Sequence, residues 1–231
     1  MTKKGVPGHV ALIPDGNRRW AEQNGLKPWE GHDKGIQRFK EFANWCYDAG
    51  VEHVTAYSLS KENLDKREHI EVEFLFKLYE KYLQEMLVSK DLEEREVRVY
   101  FVGKLEGFPK TITDFFERIE EKTRRYKKRT LTLCINYSGR EEILDVVRSM
   151  IREDTEESEV DEKSFEKHLY SRLPAPDLLV RTAENRISNF MLWQLAYSEI
   201  YFSPKLFPDF NKADLLKALG TFKSTERRFG R

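Results

Sequence analysis

The feature that most constrains this chain is the stretch HVALIPDGNRRW at residues 9–20, where an apolar run stops abruptly at an acid, a glycine, an asparagine and two arginines. Its grammar is strand, tight turn, helix start. Val10 to Ile13 suit a buried strand, Pro14 stops it, and Asp15-Gly16 turns the chain into a helix opening near Asn17. Backbone N–H groups at such a helix start favour an anion above the strand end, and Arg18 and Arg19 strengthen that bias. A carboxylate among them needs a reason. Either Asp15 holds a divalent cation that the anion shares, as Mg²⁺ does between a protein carboxylate and phosphate oxygens, or it caps the helix while both arginines stay solvated.

The rest of the chain repeats the strand-then-helix alternation. Ile36, Phe39, Phe42, Ala43, Cys46 and Tyr47 recur at helical spacing over 32–49, and Gly50 ends that helix. A strand at 53–59 runs out into the polar turn SKENLDKR. Residues 68–90 form the longest periodic segment, with Leu75, Leu78, Tyr79, Tyr82, Leu83, Met86 and Leu87 on one wide stripe. That stripe is either core or one wall of a lipid-holding tunnel. Strands follow at 97–103, 131–137, 177–182 and 200–203, and helices at 110–127, 139–152, 163–169, 188–196 and 212–222; the acidic run 154–162 reads as a solvated loop. Six strands separated mostly by helices predict a single α/β domain over 1–231, a largely parallel sheet with helices on both faces. In open α/β sheets ligands sit beyond the carboxyl ends of strands, so the polar ends at Asp15 and at Ser60, Glu62 and Asn63 begin to define one site.

Charge and cysteine usage narrow the partners. Lys+Arg and Asp+Glu both number 40, which removes any overall electrostatic argument for nucleic acid and leaves anion binding to local clusters. Cys46 and Cys134 sit in apolar patterns without metal-ligand spacing and read as reduced core residues. Neither a signal core nor a run of about 18 apolar residues is present, so the expectation is a cytoplasmic protein.

A second polar cluster, DLLVRTAENR at 177–186, repeats the opening logic: an apolar strand ends in Arg181, and Arg186 and Ser188 follow, suited to gripping a second phosphate group. Glu199 lies in AYSEIYF, where a lone acid in an apolar run is costly unless it is paired or binds metal. With HVALIPDGNRRWA, GHDKG, AYSLSKENLDK, INYSGREEI, DLLVRTAENRISNFMLWQLAYSEIYF, FPDF and ERRFG in order, the chain resembles the cis-prenyltransferases, the undecaprenyl diphosphate synthase family, over nearly its whole length.

The resemblance implies a homodimeric six-stranded α/β enzyme with an apolar tunnel that condenses isopentenyl diphosphate with an allylic prenyl diphosphate, using Mg²⁺. It implies that Asp15 holds the metal, with Glu199 as a second ligand, and that Gly16, Asn17, Arg18, Arg19, Trp20 and His32 surround the allylic diphosphate. Ser60, Glu62 and Asn63 match the polar loop beside the reacting carbons, Asn63 being catalytic there, and Lys66 and Arg67 complete it. Arg181, Arg186 and Ser188 match the isopentenyl diphosphate site, and Arg228 and Gly230 the terminal RxG that reaches a neighbouring subunit. The 68–90 helix would line the tunnel, and membrane contact would be transient, through the lipid product.

Departures fall on working positions. Pro28 stands where the family places an arginine, with Lys27 beside it as a substitute; Leu64 replaces a tryptophan, Lys66 an arginine, and RTAENR is one residue shorter than RTxGExR. A one-residue deletion shifts a charge by up to about 3.5 Å, which matters where reacting atoms must meet within a similar distance. Two alternatives follow: a condensation that is not head-to-tail, with an allylic diphosphate or another prenyl acceptor, and a non-catalytic partner subunit. Retention of Asp15, Asn17, Arg19, His32, Asn63, Glu199 and the RxG counts against the second.

Overall fold

The computed structural model describes residues 5–66, 69–171 and 173–224. Within them lie six strands: β1 (His9–Ile13), β2 (His53–Ser60), β3 (Val97–Val102), β4 (Arg129–Tyr137), β5 (Leu178–Thr182) and β6 (Glu199–Ser203). They form one sheet in the order β3-β4-β2-β1-β5-β6, and every neighbouring pair is parallel. The α-helices among the described residues are α1 (Asn17–Gln23), α2 (Gly31–Ala49), α3 (Lys61–Lys66), α4 (His69–Val88), α5 (Asp91–Glu94), α6 (Lys110–Thr123), α7 (Gly139–Arg152), α8 (Glu162–Glu166) and α9 (Lys212–Ser224). None is long and apolar enough to cross a membrane.

A wholly parallel sheet must bury both faces, and the alternation of side chains along each strand shows how. Val10, Leu12, Val54, Ala56, Leu178 and Val180 join the larger core, which includes Phe42 and Cys46 of α2, Leu75 and Leu83 of α4, Phe116 of α6 and Leu215 of α9. Ala11, Ile13, Tyr57 and Leu179 point the other way, onto Tyr137, Phe190, Met191 and Leu195. Beyond them α7 and α8 add a small cluster around Val146, Met150 and Leu169, with Trp193 against it.

Two segments differ from the pattern reading. Residues 61–66 are helical rather than a polar turn. Residues 188–196, expected as a helix, instead run as successive turns, with Ser188, Asn189 and Met191 at φ 49°, 61° and 44°. Their apolar side chains are buried as a helix would bury them, but the backbone closes only isolated turn bonds, such as Phe190 N–H to Ile187 O at 3.1 Å and Leu195 N–H to Met191 O at 2.9 Å, while Gly139 N–H donates to Asn189 O at 2.8 Å and the Gln194 side chain donates from Nε2 to the buried Glu142 at 2.9 Å, tying the segment to α7.

Candidate active site

Because all strands run the same way, the loops after β1, β2, β4 and β5 share one edge of the sheet. Ile13 pairs with Arg181 in register, which brings the residues following β1 beside the end of β5. Thr182 clamps the turn: its Oγ1 accepts from Asp15 N–H at 2.9 Å and donates to Asp15 O at 2.8 Å. The Asp15 carboxylate then accepts Arg181 Nη2 at 2.7 Å on Oδ2 and Gly16 N–H at 2.6 Å on Oδ1. It therefore does not cap α1 with its side chain; Gly16 occupies that position, at φ 102°. A Cβ on Gly16 would also fall 2.8 Å from Leu206 Cδ2, so both backbone and packing demand glycine.

Arg181 is 2% exposed, and its Nη1 also donates to Ser188 Oγ at 3.1 Å. Burial pulls its guanidinium below the ordinary value, Asp15 opposes that, and Arg186 and Arg19 add to the depression. Among the described residues its Nε has no partner. Arg186 donates from Nε to Ser188 Oγ at 3.3 Å and pairs with Glu184 at 3.0 Å. Arg19 lies 3.5 Å from Asp15 and 3.4 Å from Glu184. Three guanidiniums thus face two carboxylates, with a surplus of positive charge and an incompletely bonded buried donor, which is the electrostatic signature of an anion site.

The remaining residues of the first turn point elsewhere. Arg18 Nη1 and His32 Nε2 each lie 3.7 Å from the buried Glu71 at the start of α4. Asn17 is pressed between α1 and α2: a Cβ on Gly35 would lie 2.5 Å from Asn17 Oδ1, and one on Gly31 2.0 Å from Asn17 O. Pro14, Asn17 and His32 also line a cavity of about 310 Å³. It continues between α2, α4 and the sheet past Ala43, Leu75, Leu78 and Leu83 to Leu92 and Val97. Tyr79 and Tyr82 face this cavity. Tyr79 OH meets Ser58 Oγ at 2.9 Å across it, Ser58 sitting at an irregularity in the β2–β4 pairing.

Other expected site residues are engaged with protein groups. Ser60 Oγ accepts Asn63 N–H at 3.1 Å and opens α3. Glu62 accepts Asn189 Nδ2 at 2.6 Å. Trp20 Nε1 donates to Asp209 at 2.9 Å, tying α1 to the turn Phe207–Asp209. Lys27 lies over the Trp29 ring, 5.5 Å from its centroid, and Lys66 is exposed at the end of α3. Glu199 opens β6 opposite Leu178, at the level of Val10, so it sits about 10 Å along the strands from Ile13, with Asp15 beyond. One chain does not bring Asp15 and Glu199 to a common ion, and no cluster of three acid, His or Cys side chains forms a metal site among the described residues. Arg67, Arg228 and Gly230 lie outside the described residues.

Asp15 nevertheless suits a cation shared with an anion. Its side chain is 37% exposed, and Mg²⁺ accepts one protein carboxylate when phosphate oxygens and water complete its shell. Thr182, Glu71 and Asn189 were not singled out from sequence. Glu71 carried a usable signal, since it falls in phase with Leu75, Leu78 and Tyr82 on the buried stripe of α4, where an acid needs a partner.

The family model described as putative undecaprenyl diphosphate synthase matches residues 13–230. The chain belongs to that family. It is therefore a cis-prenyltransferase, with the six-stranded α/β fold of its structural neighbours. It is 42% identical to a tritrans,polycis-undecaprenyl-diphosphate synthase (geranylgeranyl-diphosphate specific) from Methanopyrus kandleri, over 98% of this chain and 85% of the relative. An isoprenyl transferase from Thermotoga maritima is 41% identical, with 97% of each chain covered. The crystal structure of lavandulyl diphosphate synthase from Lavandula x intermedia, in complex with dimethylallyl diphosphate, superposes with a TM-score of 0.93 at 34% identity, covering 99% of this prenyltransferase and 100% of the plant chain.

Proposed function

We propose that this prenyltransferase condenses isopentenyl diphosphate with an allylic prenyl diphosphate, with Mg²⁺, to give a Z-prenyl diphosphate. One observation carries the reading: an arginine-rich cluster built around Asp15, with Arg181 buried at its centre, lies beside Pro14 and Asn17 at one end of an apolar cavity. A diphosphate with a hydrocarbon tail is the ligand class that needs both halves.

In this reading the allylic C–O bond breaks, a C–C bond forms to the terminal carbon of isopentenyl diphosphate, a proton leaves, and diphosphate departs. Negative charge grows on the leaving oxygens. In this reading Asn17, Arg18, Arg19 and His32 would turn to it as donors, Arg18 and His32 from their contacts with Glu71, and would lower the barrier because the charge is larger in the transition state than in the bound substrate. Arg181, Arg186 and Ser188 hold the second diphosphate and so orient its double bond. Asp15 would hold Mg²⁺, which supplies Lewis-acid charge at the diphosphate oxygens. The cavity along α4 takes the growing chain.

The same reading includes a homodimer and a cytoplasmic enzyme that meets membrane only through its product. Edge strand β6 exposes Ile200 and Phe202, and α7 exposes Leu144, Val147 and Ile151 at helical spacing, an apolar surface suited to a second copy. Diphosphate release from isopentenyl diphosphate and an allylic primer, measured with and without Mg²⁺, tests the proposal; no release with any primer in Mg²⁺ would sink it.

A second reading rests on the shortened loop. Ala183 stands at φ 66°, and Glu184 engages both Arg19 and Arg186, so part of the acceptor site's charge is already answered. In that reading the acceptor is an allylic diphosphate or another prenyl group, and the bond formed is not head-to-tail. Product from allylic diphosphates alone would select it.

A further inference from the structure

We infer that Asn189 is a positioning residue: it latches the loop after β2 to the loop after β5, so that the Ser60–Asn63 turn and the arginine-holding Ser188 are set in place together. The inference rests on the prenyl-transfer reading above.

Asn189 commits its side-chain amide and its backbone carbonyl to the junction. Its Nδ2 donates to Glu62 Oε1 at 2.6 Å and to Ser138 Oγ at 2.8 Å, and its Oδ1 accepts Arg140 N–H at 2.9 Å. Its backbone carbonyl accepts Gly139 N–H at 2.8 Å. These partners belong to α3 and to the start of α7, so one side chain joins the loops that leave β2, β4 and β5. Ser138 caps α7, and a Cβ on Gly139 would come within 2.9 Å of Asn189 O, so the α7 side of the junction is tightly fitted.

The neighbours in sequence show what the latch controls. Ser188 accepts hydrogen bonds from both Arg181 and Arg186. Phe190 is fully buried, stacked on Tyr57 with centroids 4.5 Å apart. Phe190 therefore anchors the segment, while Asn189 fixes its orientation toward α3. Asn189 reaches Glu62 from a left-handed backbone at φ 61°, a region that asparagine and aspartate tolerate best among residues with a side chain. Glu62, expected at the substrate, is on this view the latch's other half. The charge on Glu62 makes the bond charge-assisted and strong enough to hold two short loops in register.

The test is a polarity swap. N189D keeps shape and backbone preference but sets a carboxylate against Glu62, breaking the latch. E62Q alone keeps an acceptor. N189D combined with E62Q restores a hydrogen bond with donor and acceptor exchanged. In steady-state assays with isopentenyl diphosphate and an allylic primer, N189D is expected to lower kcat and raise KM for isopentenyl diphosphate, together about tenfold or more in kcat/KM, the size of one charge-assisted hydrogen bond. KM for the primer stays near its wild-type value, and the double variant recovers to within about threefold. A double variant no better than N189D, or an N189D enzyme with wild-type parameters, overturns the inference.

Hydrogen exchange supplies a readout independent of turnover. In N189D, exchange should rise at residues 60–66 and 183–188 together and fall again in the double variant; a rise confined to one loop overturns the inference. A wild-type protein that forms no product refutes the functional reading, and exchange still decides the latch.

Discussion

Replacing Asp15 separates two duties, the observed one of holding Arg181 and the proposed one of holding a cation. Asp15→Ala removes the 2.7 Å bond to a guanidinium that is 2% exposed. Breaking a fully buried pair costs about 3–5 kcal/mol, but the Asp15 side chain is over a third open to solvent, so the loss of a charge-assisted hydrogen bond, about 2 kcal/mol, is the better figure. For a chain of this size that is a fall in Tm of about 4–8 °C. Asp15→Asn is gentler. It keeps one acceptor oxygen, leaving either Gly16 N–H or Arg181 Nη2 short of one bond, a cost of about 1 kcal/mol. Turnover should nevertheless fall about 10²- to 10³-fold in both variants, because each lacks the carboxylate proposed to hold Mg²⁺ beside the leaving diphosphate. Thermal melts and initial rates across a Mg²⁺ titration read the two duties separately. Wild-type turnover in Asp15→Asn, with unchanged Mg²⁺ dependence, would refute the metal role. An unchanged Tm in Asp15→Ala would refute the structural one.

Three further outcomes are expected. Gly35→Ala drives a methyl against Asn17 Oδ1, and Gly31→Ala drives one against Asn17 O. The first should raise KM for the allylic substrate as the side chain moves, and the second should also lose about 1–3 kcal/mol in urea unfolding because backbone cannot give way as cheaply. Ala43→Phe, which fills the cavity wall, should shorten the longest product while leaving the first condensation intact, read by chromatography of the dephosphorylated products. Burial, partly offset by the hydrogen bond to Pro174 O, pushes the His9 imidazole down to about 4 from 6.5. The unfolded chain therefore binds the proton first as pH falls, so stability present above pH 6.5 is lost toward pH 4, by about 3 kcal/mol, and His9→Gln should flatten that part of the pH–stability curve.

Much of the fold was legible because strand and helix periods are cleanly separated. The run Val10 to Ile13 is fully buried up to the turn at Asp15, and the stripe of α4 faces the sheet and the cavity as its spacing implied. The 188–196 segment reads as a helix because Phe190, Met191 and Leu195 bury themselves at helix-like intervals, whereas its backbone forms successive turns tied to α7 through Asn189 O and the Gln194 side chain. In the site, Asp15 and Arg181 stand out in the sequence as polar ends of apolar runs, but their mutual ion pair depends on the β1–β5 register, which only strand order reveals. Glu199 reads as a metal-ligand candidate because it is an acid in an apolar run; the parallel β6 places it at the start of its strand, so within one chain it does not share an ion with Asp15. Glu62 and Trp20 are polar groups whose partners, Asn189 and Asp209, lie 127 and 189 residues away, beyond the reach of any local pattern.

The proposed reaction builds a chain from isopentenyl diphosphate at the arginine cluster around Asp15 and houses it in the apolar cavity beside that cluster. Its most direct test is product analysis with labelled isopentenyl diphosphate, Mg²⁺ and one allylic primer at a time, with each primer also incubated alone. Label extending a primer in five-carbon steps, with Z geometry at each new double bond, is the result expected. Absence of label from every product, with new material formed only from allylic diphosphates, would contradict it.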